Sequence, residues 1–230
     1  YHSLAKGSHL NITIGPLVQT WRIGFSDARL PSTEEIQQAL SLTDPNLLEL
    51  NPENCSVFLT KKGMKLDLGA LAKGYIADKI KDYLLSQGVT SALINLGGNV
   101  LTIGHNAVSQ RAWRIGIQNP KQPRGNHSAI LAVTNQSVVT SGIYERTLTV
   151  EGQNYHHILD RKTGYPIENQ LASLTIVSDK SVDGEIWTTR LFGESPTSIL
   201  SQIEQQTGIE ALIITQDSQL FCSSGLLEQI

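Results

Sequence analysis

The chain has 230 residues, of which 40% are hydrophobic and 17% charged, and its formal net charge is −3. This length is enough for a substantial core, built as one large domain or as two closely packed lobes. The small negative charge and the absence of Lys/Arg runs argue against a nucleic acid-binding surface. No apolar run reaches the length that a bilayer-spanning helix needs.

The first residues and the cysteines say little about the cellular compartment. The opening segment, "YHSLAKGSHLNITIGPL", lacks the charged-then-apolar pattern of a signal peptide and does not begin with Met. We therefore expect a processed or truncated chain. Cys55 and Cys222 argue against a disulfide framework, although a single bridge between them stays open.

The first half of the chain combines short helices and strands. The segment "STEEIQQALS" opens with a Ser-x-x-Glu capping box, which predicts a short helix over 32–41. The segment "CSVFLT" predicts a strand, and "KKG" predicts a turn. Apolar residues over 70–87 recur at helical spacing, and Gly88 follows as a left-handed cap, so we predict a helix there.

The segment "KLDLGALAKGYIADKI" has two glycines at P-loop spacing, Gly69 and Gly74. A P-loop also requires Lys and then Ser or Thr directly after the second glycine. Here Tyr75 follows Gly74 and Lys73 precedes it, so the segment is not a P-loop. The helix start still offers amide groups that favour anions, and Lys73 adds a positive charge. The alternative is a glycine turn with Asp67 as a helix cap.

The second half of the chain is rich in predicted strands. The segments "SALINLG", "RAWRIGIQNP", "SAILAVTNQSVVTSG" and "ASLTIVSD" are typical of strands, and "YERTLTVEGQNYHHILD" and "ALIITQDSQLFCSSG" of hairpins. The segments "DGEIWTTRLFGE" and "PTSILSQIEQQTG" are predicted to be helical. Because strands outnumber helices and pair with near neighbours, we predict an α+β fold with largely antiparallel sheets and packed helices.

Three further segments carry more Gly, His, Asp and Thr than a core requires. In "INLGGN" the glycines suit either a tight turn or close approach to a flat ligand. His156 and His157 are neighbours on a strand, so they point to opposite faces, and a buried structural role is the alternative for either. Asp183 in "SVDGEIWTT" stands at a predicted helix start, where capping is the alternative to binding Mg²⁺.

Taken together and in this order, the motifs resemble the ApbE family of FAD:protein FMN transferases, formerly called thiamine biosynthesis lipoproteins. The matching segments are "NITIGPLVQTWRIG", "LDLGALAKGYIAD", "INLGGNV", "WRIGIQNP", "VVTSGIYER", "YHHILDRKTGYP" and "VDGEIWTTRLFG". The resemblance extends over residues 7–227 and implies an ApbE-like flavin transferase fold in a single domain over 1–230. It also implies that an N-terminal portion of the family's full chain is missing.

The resemblance implies Mg²⁺-dependent transfer of FMN from FAD to a threonine hydroxyl of a target protein. The transfer forms a phosphoester and releases AMP. The expected partners are FAD, as substrate, and an acceptor flavoprotein with a Ser/Thr-containing flavinylation motif, with no nucleic acid. The full-length form is expected to be extracytoplasmic and lipid-anchored at the cell membrane.

The matching motifs also imply which residues contact FAD. Asp67 and Lys73 match FAD-contacting positions, and His9, Leu10 and Asn11 fall in a flavin-contacting stretch. The family often has Asp at the position of Asn11, and asparagine keeps the hydrogen bonding but loses the charge.

The expected metal ligands and catalytic groups come from the same resemblance. Ala70 matches the position whose backbone carbonyl binds the metal, and Asp183 matches the metal-binding aspartate. The family's second ligand is usually a threonine four residues after this aspartate, a position held here by Trp187. We therefore expect Thr188 to be the second ligand, presented to the metal by a locally altered helix. His157 matches a histidine that orients a phosphate or accepts the threonine proton, a base role that Asp183 could share.

Two rival functions remain open from the sequence. The same site could use water as acceptor and act as an FAD pyrophosphatase that gives FMN and AMP. The chain could also be a non-catalytic flavin-binding module that has lost its metal site. Both alternatives follow from Trp187, which stands where the family has its second metal-binding threonine.

Overall fold

The computed structural model describes residues 1–229, which divide into two compact units. The first unit comprises Tyr1–Leu68 and Ile143–Glu168, and the second comprises Gly69–Gly142 and the chain from Asn169 onward. A single domain over 1–230 stays a prediction.

The helices are α1 (Gly15–Trp21), α2 (Thr33–Leu40), α3 (Gly69–Ser86), α4 (Ser181–Leu191) and α5 (Pro196–Ile203). The strands are β1 (Leu48–Asn51), β2 (Ser56–Leu59), β3 (Ala92–Leu96), β4 (Asn99–Ile103), β5 (Trp113–Gln118), β6 (His127–Val133), β7 (Ser137–Gly142), β8 (Thr147–Val150), β9 (Gln153–His156), β10 (Leu171–Ser178), β11 (Ile209–Thr215) and β12 (Leu220–Cys222). Over the described residues, no helix combines the length and apolarity needed to cross a membrane.

The core of the first unit forms around Trp21 at the end of α1. Its ring packs against Tyr155 and Tyr165, with centroid distances of 5.4 and 5.7 Å. Its indole Nε1 donates a hydrogen bond of 2.8 Å to the Gly164 carbonyl. A buried Trp needs such a partner for its N–H group, so this bond links α1 to the turn that follows β9.

Two antiparallel hairpins, β1–β2 and β8–β9, complete the first unit. The second hairpin turns at Glu151 and Gly152, between the paired residues Val150 and Gln153. Helix α2 has the predicted capping box, in which Ser32 and Glu35 each bond the other's backbone N–H. Both features are local in sequence, which is why the sequence predicted them.

The second unit is built on a six-stranded antiparallel sheet with the order β12-β11-β10-β7-β4-β3. Strand β10 lies inside the sheet, and all eight of its residues are buried. The β5–β6 hairpin packs on one face of the sheet through a cluster that includes Ile117, Leu131 and Val138. Helix α3 covers β3 and β4 through a second cluster that includes Ala77 and Leu101.

Helix α3 ends as the sequence predicts. The Gly88 N–H bonds the Leu85 carbonyl at 3.0 Å, and the Val89 N–H bonds the Leu84 carbonyl at 3.0 Å. This pair of bonds defines a Schellman motif, whose left-handed residue is Gly88 with φ of 79°.

The α+β class with largely antiparallel sheets is confirmed, whereas some elements differ from prediction. Helix α4 begins at Ser181 rather than at Asp183, and α1 and β1 were not predicted. Cys55 and Cys222 are free thiols, so the bridge that the sequence left open does not form among the described residues.

Candidate functional site

The predicted site residues fall in both units. The first unit contains His9, Leu10, Asn11, Asp67 and His157. The second unit contains Ala70, Lys73, Asp183 and Thr188. Most of the predicted FAD contacts therefore belong to the first unit, and the predicted metal ligands belong to the second.

Backbone pairing brings Asp67 next to the predicted flavin-contacting stretch. The Asp67 N–H donates to the Ile12 carbonyl at 2.8 Å, and Ile14 forms a parallel bridge with Lys65. At Gly15, a Cβ atom would lie 2.7 Å from the Lys65 carbonyl oxygen. Two segments predicted to contact FAD thus lie side by side, and a larger residue at Gly15 would separate them.

Asn11 has a structural role within its own unit. Its side-chain Nδ2 donates to the Thr43 carbonyl at 2.7 Å, and its Oδ1 accepts from the Thr13 N–H and the Thr13 hydroxyl at 3.0 and 2.7 Å. Asn11 and Leu10 are buried, with 4% and 3% exposure. Neither side chain points to solvent, so a flavin contact from either stays a prediction.

His156 and His157 have different surroundings, although only His156 lies on a strand: β9 ends there, and His157 is the first residue after it. His156 Nδ1 accepts from the Ile158 N–H at 3.3 Å, so its Nε2 carries the proton and donates to the Ile167 carbonyl at 2.9 Å. Burial lowers the pKa of His156. His156 is therefore the structural member of the pair.

His157 is half-buried and is held at the Arg146 carbonyl. Its backbone N–H bonds this oxygen at 3.2 Å, and its ring Nδ1 lies 3.4 Å from the same oxygen. With the proton on Nδ1 and donated to Arg146, Nε2 is the basic nitrogen of the ring. In this tautomer Nε2 has the lone pair that can accept a proton.

Two contacts join helix α3 to the start of helix α4. At Gly74, a Cβ atom would lie only 2.5 Å from the Ser181 carbonyl oxygen, so the glycine allows the helices to approach this closely. The Asp78 carboxylate accepts hydrogen bonds from the Ser181 and Val182 N–H groups at 2.7 and 2.9 Å. These bonds satisfy two N–H groups that the first turn of a helix leaves unpaired.

Asp183 does not cap α4, because it is the third residue of the helix and Asp78 provides the capping bonds. Its negative charge in the first turn still complements the helix dipole, as does Arg190 in the last turn. Residues four apart lie on one helix face, so Trp187 shares the face of Asp183. The Arg190 guanidinium lies over the Trp187 ring, 4.4 Å from its centroid.

Thr188 lies on a different side of α4 from Asp183. Five residues rotate the helix by about 140° beyond a full turn, and α4 is a regular helix through both positions. Thr188 is fully buried, and its hydroxyl donates to the Glu185 carbonyl at 3.1 Å. The altered helix that would pair Thr188 with Asp183 is therefore absent over Ser181–Leu191, and its role as a ligand stays a prediction.

The structure singles out a carboxylate that the sequence analysis missed, Glu185. Its Oε1 accepts from Asn99 Nδ2 at 2.9 Å and lies 3.6 Å from Lys73 Nζ. Asn99 Oδ1 in turn accepts from the Ser181 hydroxyl at 2.7 Å. This network, formed by Lys73, Asn99, Ser181 and Glu185, connects three of the segments that sequence analysis had set apart.

Glu185 is 5% exposed. Burial raises the pKa of its carboxyl, and Lys73 and Asn99 partly offset this effect. A carboxylate in such a position is stabilised by a nearby cation. A threonine, Thr189, follows Glu185 by four residues. That is the acid-to-threonine spacing which Asp183 lacks, and it is the sequence signal that could have identified Glu185.

The donor chemistry of the second unit fits Mg²⁺ held only partly by protein. Residues 1–229 contain no cluster of three or more His, Cys, Asp and Glu side chains that could hold a metal. Mg²⁺ does not require one, since it retains waters and is bound through one or two carboxylates plus substrate phosphates. Glu185 offers a carboxylate, and Thr189 a hydroxyl on the same helix face.

Comparison with known proteins defines the class to which this fold and these motifs belong. Residues 1–213 match the model of the ApbE family. In fold, the chain is similar to the ApbE protein of Thermotoga maritima, with a TM-score of 0.84 and 29% identity over 94% of this chain and 70% of that one. It is also similar to the flavin transferase ApbE of Vibrio cholerae, with a TM-score of 0.81 and 27% identity over 96% of this chain and 71% of that one.

The chain belongs to the ApbE family. It is 45% identical to a protein of Klebsiella pneumoniae named FAD:protein FMN transferase, over 96% of this chain and 68% of the relative. A Treponema pallidum protein of the same name is 33% identical over 98% of this chain and 66% of the relative. The chain therefore spans about two thirds of the length of these curated relatives.

Proposed function

We propose that this chain transfers FMN from FAD to a threonine hydroxyl of a target protein, releasing AMP in a Mg²⁺-dependent reaction. The identity of 45% to a named FAD:protein FMN transferase, over 96% of the chain, supports this class of reaction. The single structural observation that carries it is the network in which Lys73 and the buried carboxylate of Glu185 lie 3.6 Å apart.

This pairing of charges suits a site for a pyrophosphate and its metal ion. Lys73 has 45% of its side chain exposed, so its ammonium can contact a phosphate while its stem remains on α3. Glu185 lies beneath it and supplies the negative charge that a divalent cation needs. When bound, Mg²⁺ would neutralise charge on the pyrophosphate as AMP departs.

The reaction exchanges one phosphorus–oxygen bond for another. The threonine oxygen attacks the phosphorus of the FMN half of FAD, and the bond from that phosphorus to the bridging oxygen breaks. The bridging oxygen and its electron pair leave with AMP. The hydroxyl proton passes to a base, for which we propose Nε2 of His157. Such reactions depend mainly on positioning and electrostatics, so few catalytic side chains are needed.

For the metal we propose the Ala70 carbonyl together with Glu185 and Thr189, whose spacing is that expected of the family's acid and threonine ligands. The alternative set retains Asp183 and Thr188. Asp183 could then act both as ligand and as a second base, whereas Thr188 would have to leave its bond to the Glu185 carbonyl.

On the flavin side, we propose that Asp67 contacts FAD together with the stretch over 9–11. Backbone pairing between Asp67 and Ile12 supports a shared location. The proposed acceptor is a flavoprotein with a Ser/Thr-containing flavinylation motif. We also propose that the full-length protein is extracytoplasmic and lipid-anchored at the membrane.

The test is incubation with FAD and Mg²⁺, with and without an acceptor domain that contains the motif. AMP release is measured in solution, and flavin fluorescence of the acceptor is measured in a denaturing gel. We expect a fluorescent acceptor band that requires both the enzyme and Mg²⁺. An acceptor whose threonine is replaced by alanine serves as the control, and its band should show no flavin fluorescence.

The other outcomes separate the rival functions. If the amount of AMP released is the same with and without acceptor, and no labelled band forms, the chain is an FAD pyrophosphatase. Bound FAD with neither product would leave a flavin-binding module. Either result would contradict the proposed transfer.

A further inference from the structure

Asn99 is a buried residue that directly follows the tight turn between β3 and β4. It is the first residue of β4, is 1% exposed, and pairs with Leu96 across a turn formed by Gly97 and Gly98. Both glycines have positive φ, 61° and 94°, and a Cβ atom on either would meet no atom within 4 Å. The glycines are therefore required for the backbone conformation of the turn rather than to make room for a neighbouring group, and the turn brings Asn99 beneath α4.

The amide of Asn99 has a defined orientation. The Ser181 hydroxyl donates to Oδ1 at 2.7 Å, so the NH₂ group is directed to Glu185, whose Oε1 accepts at 2.9 Å. Ser181 and Glu185 are four residues apart, on one face of α4. Asn99 therefore bridges one turn of the helix: the carboxylate only accepts, so it takes the NH₂ end of the amide, and the Ser181 hydroxyl donates to the oxygen end.

The same arrangement determines the position of the exposed end of Lys73. Glu185 Oε1 receives both the Asn99 bond and the ammonium of Lys73, at 2.9 and 3.6 Å. Without Asn99, the buried carboxylate loses one of its two polar neighbours and its fixed rotamer. Lys73, with 45% of its side chain exposed, would then lose the fixed charge that orients it.

We propose that Asn99 is a positioning residue for FAD: through Glu185 it holds Lys73 where the pyrophosphate binds, and the Ser181 hydroxyl holds the oxygen end of the Asn99 amide. This inference rests on the proposed function. Asn99 and Ser181 are buried, with 1% and 0% exposure, so the inference assigns to "INLGGN" a role through α4 rather than direct contact with the flavin.

The test compares Asn99→Leu and Ser181→Ala with the wild type. We expect kcat/KM for FAD to fall by about 10- to 100-fold in each variant. This range is typical of residues that hydrogen-bond to the side chains in contact with a ligand and orient them. The loss should include a raised KM for FAD, because Lys73 is misplaced in every molecule. A purely structural defect would reduce the active fraction and lower kcat alone. Ser181→Thr keeps a hydroxyl and should restore much of the loss.

The matched control is Thr102→Val on the same strand. Thr102 is fully buried, and its hydroxyl donates to the Gln136 carbonyl at 2.9 Å and accepts from the Gln136 N–H at 3.2 Å, so this variant also removes side-chain hydrogen bonds of β4. It should lower the melting temperature and leave the KM for FAD unchanged. If Asn99→Leu does not fold, Ser181→Ala decides the question.

Two results would overturn the inference. One is a folded Ser181→Ala or Asn99→Leu variant with the wild-type KM and kcat. The other is a crystal structure of either variant in which Glu185 and Lys73 keep their native separation. If the wild type binds FAD but transfers no FMN, the proposed function fails, while the FAD dissociation constant and the crystal structure still test the role of Asn99.

Discussion

Two carboxylates of α4, Asp183 and Glu185, are two residues apart but differ in their surroundings. Asp183 is partly buried in the first turn of the helix, where its charge suits the helix dipole. Glu185 is 5% exposed and in contact with Asn99 and Lys73. Because two residues correspond to a rotation of about 200°, the side chains leave the helix in nearly opposite directions.

This difference gives the first prediction. Glu185→Gln removes the buried charge, so we expect Mg²⁺ affinity, measured by calorimetric titration in the presence of FAD, to fall steeply. The value of kcat/KM should fall on the order of 100-fold, the loss typical of removing one electrostatic group from a preorganised site. Asp183→Asn is the matched control and should cost less than about 10-fold. The opposite order of effects would identify Asp183 as the ligand.

The second prediction concerns His156, whose pKa is lowered by burial from an ordinary value of 6.5. The unfolded chain then binds a proton at higher pH than the folded chain. Stability associated with the neutral ring is therefore complete above about pH 6.5 and is lost as the pH falls toward the lowered value.

The measurement is the free energy of unfolding in urea at pH 7.5 and at pH 5.5, for the wild type and His156→Asn. The wild type should lose more stability than the variant on acidification, because the variant has no ring to protonate. An equal loss in both proteins would show that His156 is not the group responsible.

At the scale of elements, α3 and α4 form the part of the fold on which the second unit's site depends. Gly74 allows the helices to come close, and Asp78 satisfies the first N–H groups of α4. The helix that bears Lys73 is thus fixed to the helix that bears Glu185 at two points within one turn of α3.

This leads to the third prediction. Asp78→Ala removes the acceptor of two hydrogen bonds at the start of α4, so it should lower the free energy of unfolding by about 1–2 kcal/mol, the usual value of a helix cap. Asp82→Ala, one turn later on the same helix, removes only an exposed ion pair with Lys79. It should change stability by less than about 0.5 kcal/mol. Similar effects of both variants in thermal unfolding would contradict the capping role.

What the sequence could predict of the elements follows from how local their causes are. The capping box of α2, the Glu151–Gly152 turn and the Schellman end of α3 each depend on residues a few positions apart, and all three were predicted. Helix α4 was placed two residues late because its cap is Asp78, about a hundred positions earlier. Helix α1 has no side-chain cap, so the only local signal of its start is Pro16 in its first turn.

For the candidate site, the ordered motifs identified the family, and Lys73 was selected from one of them. The contact of Lys73 with FAD stays a prediction. Glu185 was missed because its significance depends on Asn99, 86 residues earlier, and on burial that the sequence of α4 does not reveal. The assignment of Asn11 to the flavin did not anticipate that Thr43 and Thr13 occupy its amide.

For the molecule as a whole, the antiparallel α+β architecture and membership of the ApbE family agree with the sequence analysis. The central claim is that the chain attaches FMN to protein rather than releasing it to water. The direct measurement is the ratio of AMP released to FMN attached, obtained by chromatography and by intact mass of an acceptor domain after incubation with FAD and Mg²⁺. The account predicts one AMP for each acceptor that gains FMN at its threonine. AMP formation with an acceptor of unchanged mass would contradict it.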